Sequence, residues 1–144
     1  MGLNFEQIKS IRAENPKAIA EALAKRKRRP LIQGDVNLFI LAADHPARGA
    51  LAVNGNPTAM ASRSELLSRF AEALKNPKVD GVLGTPDIIE DLALMGLLEN
   101  KIVVGSMNRG GLRNSVFEFD DRYTAYTASS MKQAGIDFAK NLLR

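Results

Sequence analysis

The residues of this sequence best suited to chemistry begin with Asp44 and His45, which follow an almost continuous apolar run at residues 36–43. His45 is the only histidine of the chain. An aspartate beside a histidine can hold a substrate hydroxyl, transfer a proton or position a lysine. The alternative is a structural pair that satisfies the backbone of the following loop. Their position directly after a buried strand favours a catalytic role for both.

Two further loops carry side chains that suit an anionic ligand. Arg109 precedes a glycine pair, and a guanidinium group together with glycine amides can bind a carboxylate or a phosphate. Arg48 offers a second group of the same kind, although each arginine also fits a solvated loop. The predicted substrate-binding residues are Arg48, Thr85, Asp87, Ser106, Asn108 and Arg109.

Lys140 lies inside an otherwise apolar segment, residues 136–143. Burial lowers the pKa of a lysine amine and makes it the nucleophile that Schiff-base chemistry requires. Strand alternation places Phe138, Lys140 and Leu142 on one face. If that face points into a barrel, Lys140 is a catalytic residue. If it points outward, the stem packs under a helix and the ammonium group reaches water.

Hydrophobic periodicity predicts the elements that position these residues. Ser62 and Thr85 are expected to cap helices, and Glu65 is expected to close a capping box with Ser62. Glu90 and Asp91 fall in the middle of a helix and are interpreted as solvated. Strands are predicted at 36–43, 79–84, 101–106 and 136–143, and helices at 4–14, 16–28, 63–74, 86–98 and 125–134, the last ending at Gly135.

Two helices followed by β-α-β-α-β-α-β indicate an α/β fold with a parallel sheet and right-handed crossovers. We predict a helical segment at 1–30 and, at 31–144, the first half of a TIM (βα)8 barrel. The alternative is a small open sheet of the flavodoxin type. In both architectures ligands bind at the carboxyl ends of the strands, where the residues above fall. A barrel needs eight strands, so we expect a homo-oligomer or association with a missing C-terminal half.

Composition limits the class of protein. There is no cysteine, which excludes disulfides and thiolate metal sites and favours a cytoplasmic location. No apolar run reaches the roughly 18 residues of a membrane span, so no membrane partner is predicted. The net charge of +4 is concentrated in residues 25–29. We interpret that run as a solvated helix end rather than a nucleic-acid surface, because no aromatic residue interleaves with it. No metal site and no cofactor are predicted.

Three segments together resemble a known family. LAADHPARGALAV, GVLGTPDIIEDL and KIVVGSMNRGGL, followed by Phe-Glu-Phe-Asp-Asp-Arg, resemble a bacterial (βα)8-barrel family described as deoxyribose-phosphate-aldolase-like, of the class I aldolase superfamily. The resemblance covers residues 29–144. Asp44-His45 is also similar to the Asp-His pair that ends strand one in archaeal-type class I fructose-bisphosphate aldolases, where the aspartate lies beside the Schiff-base lysine. Pro46 stands where those enzymes usually have glycine.

The resemblance implies a carbon–carbon lyase acting on a sugar or phosphosugar through a lysine Schiff base. Transaldolases carry that lysine on strand four, where Lys140 falls, whereas the aldolases usually carry it on strand six, beyond residue 144. In this reading Asp44 orients groups or transfers protons, His45 assists it, and Arg48 or Arg109 binds an anionic group. The alternative is a non-catalytic half-barrel that binds a phosphosugar or assembles with a partner.

Overall fold

The computed structural model describes residues 3–32, 34, 37–46 and 49–106, together with the backbone of residues 138–140. The described chain is a mixed α/β protein. Its helices are α1 (Phe5–Glu14), α2 (Lys17–Lys25), α3 (Arg63–Ala73) and α4 (Pro86–Leu94), and its strands are β1 (Ile40–Ala42), β2 (Gly81–Gly84), β3 (Ile102–Ser106) and β4 (Phe138–Lys140). The predicted helix at 125–134 and Gly135 lie outside the described residues.

The strands form one parallel sheet whose spatial order, β1-β2-β3-β4, is the order of the chain. Ala42 pairs with Leu83, and Gly84 pairs with Gly105. At the other end of β2, Gly81 lies against β3 so closely that an added Cβ would stand 2.2 Å from the carbonyl oxygen of Ile102. Only glycine therefore fits at the start of β2.

The hydrophobic core lies on one face of this sheet. Ala43, Val82 and Val103 belong to the core cluster, together with apolar residues of α1, α2, α3 and α4. Strand alternation sends the neighbouring residues to the opposite face. There Leu83 and Val104 are only partly buried and Ala42 is exposed, whereas Ile102 is 2% exposed but lies outside the core cluster. The described helices thus cover a single face of the sheet.

Caps define where the helices begin. Asn4 caps α1 in a capping box, because its side chain accepts from the backbone of Gln7 and the Gln7 side chain accepts from Asn4. Ser62 caps α3 as predicted and accepts from the backbone of Glu65. The Glu65 carboxylate instead pairs with Arg69, so only half of the predicted box forms. Thr85 precedes α4, but its hydroxyl makes no capping hydrogen bond.

β1 is shorter than the predicted strand at 36–43, and it is not buried on both faces. Leu38 is 38% exposed and Phe39 is 54% exposed. Within the described sheet β1 is an edge strand that pairs only with β2. The residues ahead of it therefore lack the second neighbour that would bury them.

The basic run at residues 25–29 is only in part the solvated helix end that we predicted, because Lys25, Lys27 and Arg28 are exposed whereas the other two arginines are not. α2 ends at Lys25, and the next residue, Arg26, is buried and donates from Nη1 to the backbone oxygen of Lys101 at 3.2 Å. Arg29 is bonded to Asp80, whose carboxylate also accepts from the backbone of Phe39. That N–H and the Arg29 guanidinium lower the pKa of Asp80. Arg26 and Arg29 thus anchor the chain at the amino end of the sheet.

None of the helices in the described part of the chain combines the length and the apolar character needed to cross a membrane.

Candidate functional site

The carboxyl end of the sheet brings together two of the predicted site residues. Asp44 follows β1 and Ser106 ends β3, and the two are 5% and 2% exposed. The Ser106 hydroxyl donates to Oδ2 of Asp44 across 3.4 Å. Residues 62 positions apart in the sequence therefore form a buried polar pair where strand ends meet.

This pair lies on the face of the sheet that points away from the helices. Asp44 is two residues beyond Ala42, and Ser106 is two residues beyond Val104, so alternation gives each the orientation of that neighbour. Ala42 and Val104 are not part of the core. The carboxylate and the hydroxyl therefore belong to the face on which a ligand would meet no helix of the described chain.

The backbone of Lys140 lies at the same level of the sheet. Residue 140 pairs with Ser106 in the register between β3 and β4. The register thus sets Asp44, Ser106 and Lys140 along one line across the strand ends. The Lys140 side chain lies outside the described part of the structure, so the two orientations considered for it remain open.

His45 is half-buried and turns toward the loop that follows β1. Its Nε2 atom lies 3.2 Å from the sulfur of Met60, and its backbone oxygen accepts from the N–H of Ala50 at 3.2 Å. Met60 was not among the predicted site residues. Residue spacing could not predict this contact, because the loop brings His45 and Met60 together from 15 positions apart in the sequence.

The same loop contains a small hairpin. Val53 and Asn56 exchange both backbone hydrogen bonds, at 2.9 and 3.0 Å. The turn between them is Asn54-Gly55, both with positive φ, as a two-residue type I′ turn requires. Between this loop, β1 and α3 lies a cavity of about 460 Å³. We refer to it as the β1–α3 groove, and its apolar wall includes Leu41, Val53, Met60, Leu66, Phe70 and Ala73.

The two predicted binding residues after β2 are engaged at the start of α4. The Thr85 hydroxyl donates to Asp87, and Asp87 also pairs with Arg63 of α3. Burial would raise the pKa of Asp87, but the hydrogen bonds from Thr85 and Arg63 outweigh it and lower that pKa. Their role in binding a substrate stays a prediction.

Asp91 is not solvated, contrary to prediction, because it is the buried centre of a charged cluster between helices. Its side chain is 0% exposed and accepts from Arg12 Nε at 2.7 Å and from Arg63 Nη2 at 2.6 Å. Burial would lower the pKa of Arg12, but Asp91 and then Glu90 outweigh it and raise that pKa. Helical spacing could have predicted this burial, because Asp91 lies three residues after Ile88 and therefore on the apolar side of α4.

Three other predicted binding residues, Arg48, Asn108 and Arg109, lie outside the described residues. Within the described ranges, no three histidine, aspartate or glutamate side chains gather closely enough to hold a metal ion.

The sheet and the pair at its carboxyl end define an α/β protein with a candidate site at the ends of its parallel strands. Residues 36–144 match the Cgl0159-like family, and the chain belongs to that family. The crystal structure of Cgl0159 from Corynebacterium glutamicum (Brevibacterium flavum) is similar, with 59% sequence identity and a TM-score of 0.86. The match covers 96% of this chain and 48% of that one, so this chain spans about half the length of Cgl0159. No curated protein matches the chain.

The membership in a deoxyribose-phosphate-aldolase-like family, inferred from resemblance, is wrong, because the family that matches is the Cgl0159-like one. The motifs behind that inference were apolar strands followed by short polar and glycine-containing turns. Parallel α/β proteins of many functions need such segments to build strand ends, so they do not identify one family.

Proposed function

We propose that this chain forms the first half of a (βα)8 barrel and contributes the active edge of a carbon–carbon lyase. The substrate class is a sugar or phosphosugar, and the reaction proceeds through a lysine imine. Two features support the barrel: the strand order follows the chain, and the described helices lie on one face of the sheet. A doubly wound open sheet carries helices on both faces.

One observation carries the proposal, namely the buried Asp44–Ser106 pair at the carboxyl end of the sheet. A carboxylate is costly to remove from water, so its place beneath the strand ends needs a reason. The backbone of Lys140 stands directly opposite Ser106 in the register. An amine, a carboxylate and a hydroxyl are the groups that imine chemistry with proton transfer requires.

The proposed steps follow from these groups. Asp44 takes a proton from the Lys140 ammonium group, and the freed amine adds to the substrate carbonyl. Asp44 then returns the proton as one water leaves, which gives a protonated imine. Asp44 accepts the proton of the substrate hydroxyl while the carbon–carbon bond breaks. The carbon that carried the hydroxyl leaves as a carbonyl product, and the bonding electrons move into the imine to leave an enamine. Asp44 returns the proton to the enamine carbon, and water then hydrolyses the imine and frees the amine. Ser106 orients the Asp44 carboxylate through its hydrogen bond.

The other site residues keep their predicted roles within this proposal. His45, held against Met60, assists from the edge of the site, and Arg48 and Arg109 bind an anionic group. Nucleic acid is not expected as a partner, and the bonds of Arg26 and Arg29 to oxygens of the chain itself support that expectation. A cytoplasmic location remains an expectation.

Borohydride trapping tests the proposal. The chain is incubated with dihydroxyacetone phosphate, dihydroxyacetone or acetaldehyde in the presence of sodium borohydride, and the reduced adduct is located by peptide mass mapping. We expect one adduct on Lys140, which Lys140→Ala abolishes.

A matched control comes from Lys101, whose pKa burial lowers. Its Nζ already donates to the backbone oxygen of Val79 at 2.6 Å, so Lys101→Ala should leave trapping intact. Labelling that survives Lys140→Ala would exclude Lys140 as the nucleophile. If no probe is trapped on the unaltered chain, the lyase proposal fails and a binding module is the better interpretation.

A further inference from the structure

Thr85 lies beside Ser106 in the row of strand ends. Gly84 pairs with Gly105 in the register between β2 and β3. Thr85 and Ser106 are the next residues along these two strands and are therefore neighbours. The backbone of Thr85 is extended, so alternation gives it the orientation of Leu83, on the face opposite the described helices. Thr85 is 4% exposed, comparable with the 2% of Ser106.

The Thr85 hydroxyl does not cap α4, although Thr85 stands at the N-cap position. A threonine there ordinarily accepts a hydrogen bond from a backbone N–H of the first helical turn. Thr85 makes no such bond and instead donates to Oδ1 of Asp87. A hydroxyl has one proton and two lone pairs. Because the proton goes to Asp87, and no donor among the described residues bonds to the oxygen, its lone pairs remain available to a ligand.

The charge of Asp87 fixes the direction of this hydrogen bond. Burial raises the pKa of Asp87, but the hydrogen bonds from Thr85 and Arg63 outweigh it and keep the carboxyl ionised at neutral pH. Arg63 is itself held by the buried Asp91 at 2.6 Å. An ionised carboxylate only accepts hydrogen bonds. Thr85 must therefore donate to Asp87, so its oxygen presents lone pairs, and not its proton, to the face opposite the helices.

We propose that Thr85 is a further binding residue of this site, whose Oγ accepts a hydrogen bond from a substrate hydroxyl, and that Asp87 and Arg63 position it. The inference rests on the proposed lyase and narrows its substrate class to carbonyl compounds with a hydroxyl beside the carbonyl group. Neighbouring strands lie about 4.8 Å apart, so the ends of β2 and β4, on either side of Ser106, are about 10 Å apart. A lysine side chain and a substrate of a few atoms together span that distance.

Two probes that differ by one hydroxyl test the inference. The intact chain is incubated with hydroxyacetone or with acetone and sodium cyanoborohydride, which reduces imines in preference to ketones, and the rate of trapping is followed by the mass of the chain. Thr85→Val replaces the hydroxyl by a methyl group of similar size. We expect it to slow trapping of hydroxyacetone at least about fivefold, the effect of one hydrogen bond, and to leave trapping of acetone unchanged. Thr85→Ser, which keeps the hydroxyl, should preserve both rates.

The ratio of the two trapping rates also tests the positioning role of Asp87. An amide donates as well as accepts, so Asp87→Asn no longer fixes the Thr85 proton and should reduce the preference for hydroxyacetone over acetone. Thr58→Val makes the same change as Thr85→Val at an exposed threonine. It is the matched control and should alter neither rate.

The outcomes separate this inference from the lyase proposal. If the unaltered chain traps both probes and Thr85→Val slows both equally, or slows neither, Thr85 does not accept a substrate hydroxyl and this inference alone fails. If the unaltered chain traps neither probe, the lyase proposal fails and this inference fails as well.

Discussion

Asp91 and Asp44 are both buried aspartates, but the regions around them differ. Asp91 sits among α1, α3 and α4 and is held by two arginines, with donor distances of 2.6 to 2.9 Å. Asp44 sits at the end of the sheet, where the Ser106 hydroxyl approaches to 3.4 Å. In the first region, short charge-assisted hydrogen bonds from the two arginines to Asp91 hold the helices together. In the second, the Ser106 hydroxyl is a more distant, neutral donor, on the face of the sheet opposite the described helices.

Burial alone therefore does not mark a functional carboxylate. The two aspartates differ in their surroundings. The groups around Asp91 join helices to one another, whereas Asp44 and Ser106 lie at the ends of strands. We therefore expect changes at Asp91 to affect stability, and changes at Asp44 to affect chemistry.

Removing the Asp91 carboxylate should have the largest effect. Asp91→Ala leaves the Arg12 and Arg63 guanidinium groups without their shared partner, and we expect it to lower the free energy of unfolding by about 3 kcal/mol. Urea denaturation measures this loss. Glu90→Ala, which removes a partly exposed partner of Arg12, is the control and should cost less than about 1 kcal/mol. Equal losses for the two variants would contradict a special role for Asp91.

Asp44→Asn should act on chemistry. The amide keeps the size of the side chain but accepts no proton, so the rate of imine trapping should fall about a hundredfold. Thermal denaturation should give nearly the same Tm as for the unaltered chain. If Tm falls together with the trapping rate, Asp44 is a structural residue and the contrast with Asp91 disappears.

A smaller change in the same rate is expected for Ser106→Ala. Losing one hydrogen bond of about 1 kcal/mol corresponds to about a fivefold lower trapping rate. Ser68→Ala removes an exposed serine hydroxyl on α3 and serves as control. An unchanged rate in Ser106→Ala would mean that the hydroxyl does not position Asp44.

The smallest effect concerns acid pH. The pKa of Asp87 is lower in the folded chain than in the unfolded one, so the stability it contributes is fully present above the unfolded value, about 3.9, and is lost as pH falls through the folded value. Melting temperatures measured from neutral pH into this window should fall, and Asp87→Asn should make that fall shallower. Glu14→Gln, an exposed change on α1, should not. An identical pH profile for Asp87→Asn would contradict the sign of the shift.

Most of the fold was predictable because its strands and helices alternate with clear periods. The predicted strand at 79–84 and the predicted helices at 4–14 and 63–74 agree with β2, α1 and α3 to within about two residues. The length of β1 was overestimated, because an apolar run does not show which of its residues lack a second strand beside them. The anchoring of Arg26 and Arg29 was missed for a related reason, since their partners lie far along the chain.

The candidate site was predictable in position but not in pairing. Parallel topology sends strand ends to one edge, which brought Asp44 and Ser106 to the same place. Residue types alone could not predict that Thr85 and Asp87 would bond to each other and to Arg63. Nor could they distinguish Asp91 from a solvated acid without weighing its spacing from Ile88.

The chain order of the strands has a consequence for synthesis on the ribosome. Each strand pairs with the one made before it, so the sheet can grow from one side as the polypeptide emerges. α1 cannot form its hydrogen bond to α4 at that stage, because the partner of Arg12 is Asp91, which is synthesised 79 residues later. The bonds between Arg12 and Asp91 thus form only after α4 has been made, and a nascent chain halted before α4 would carry α1 without them.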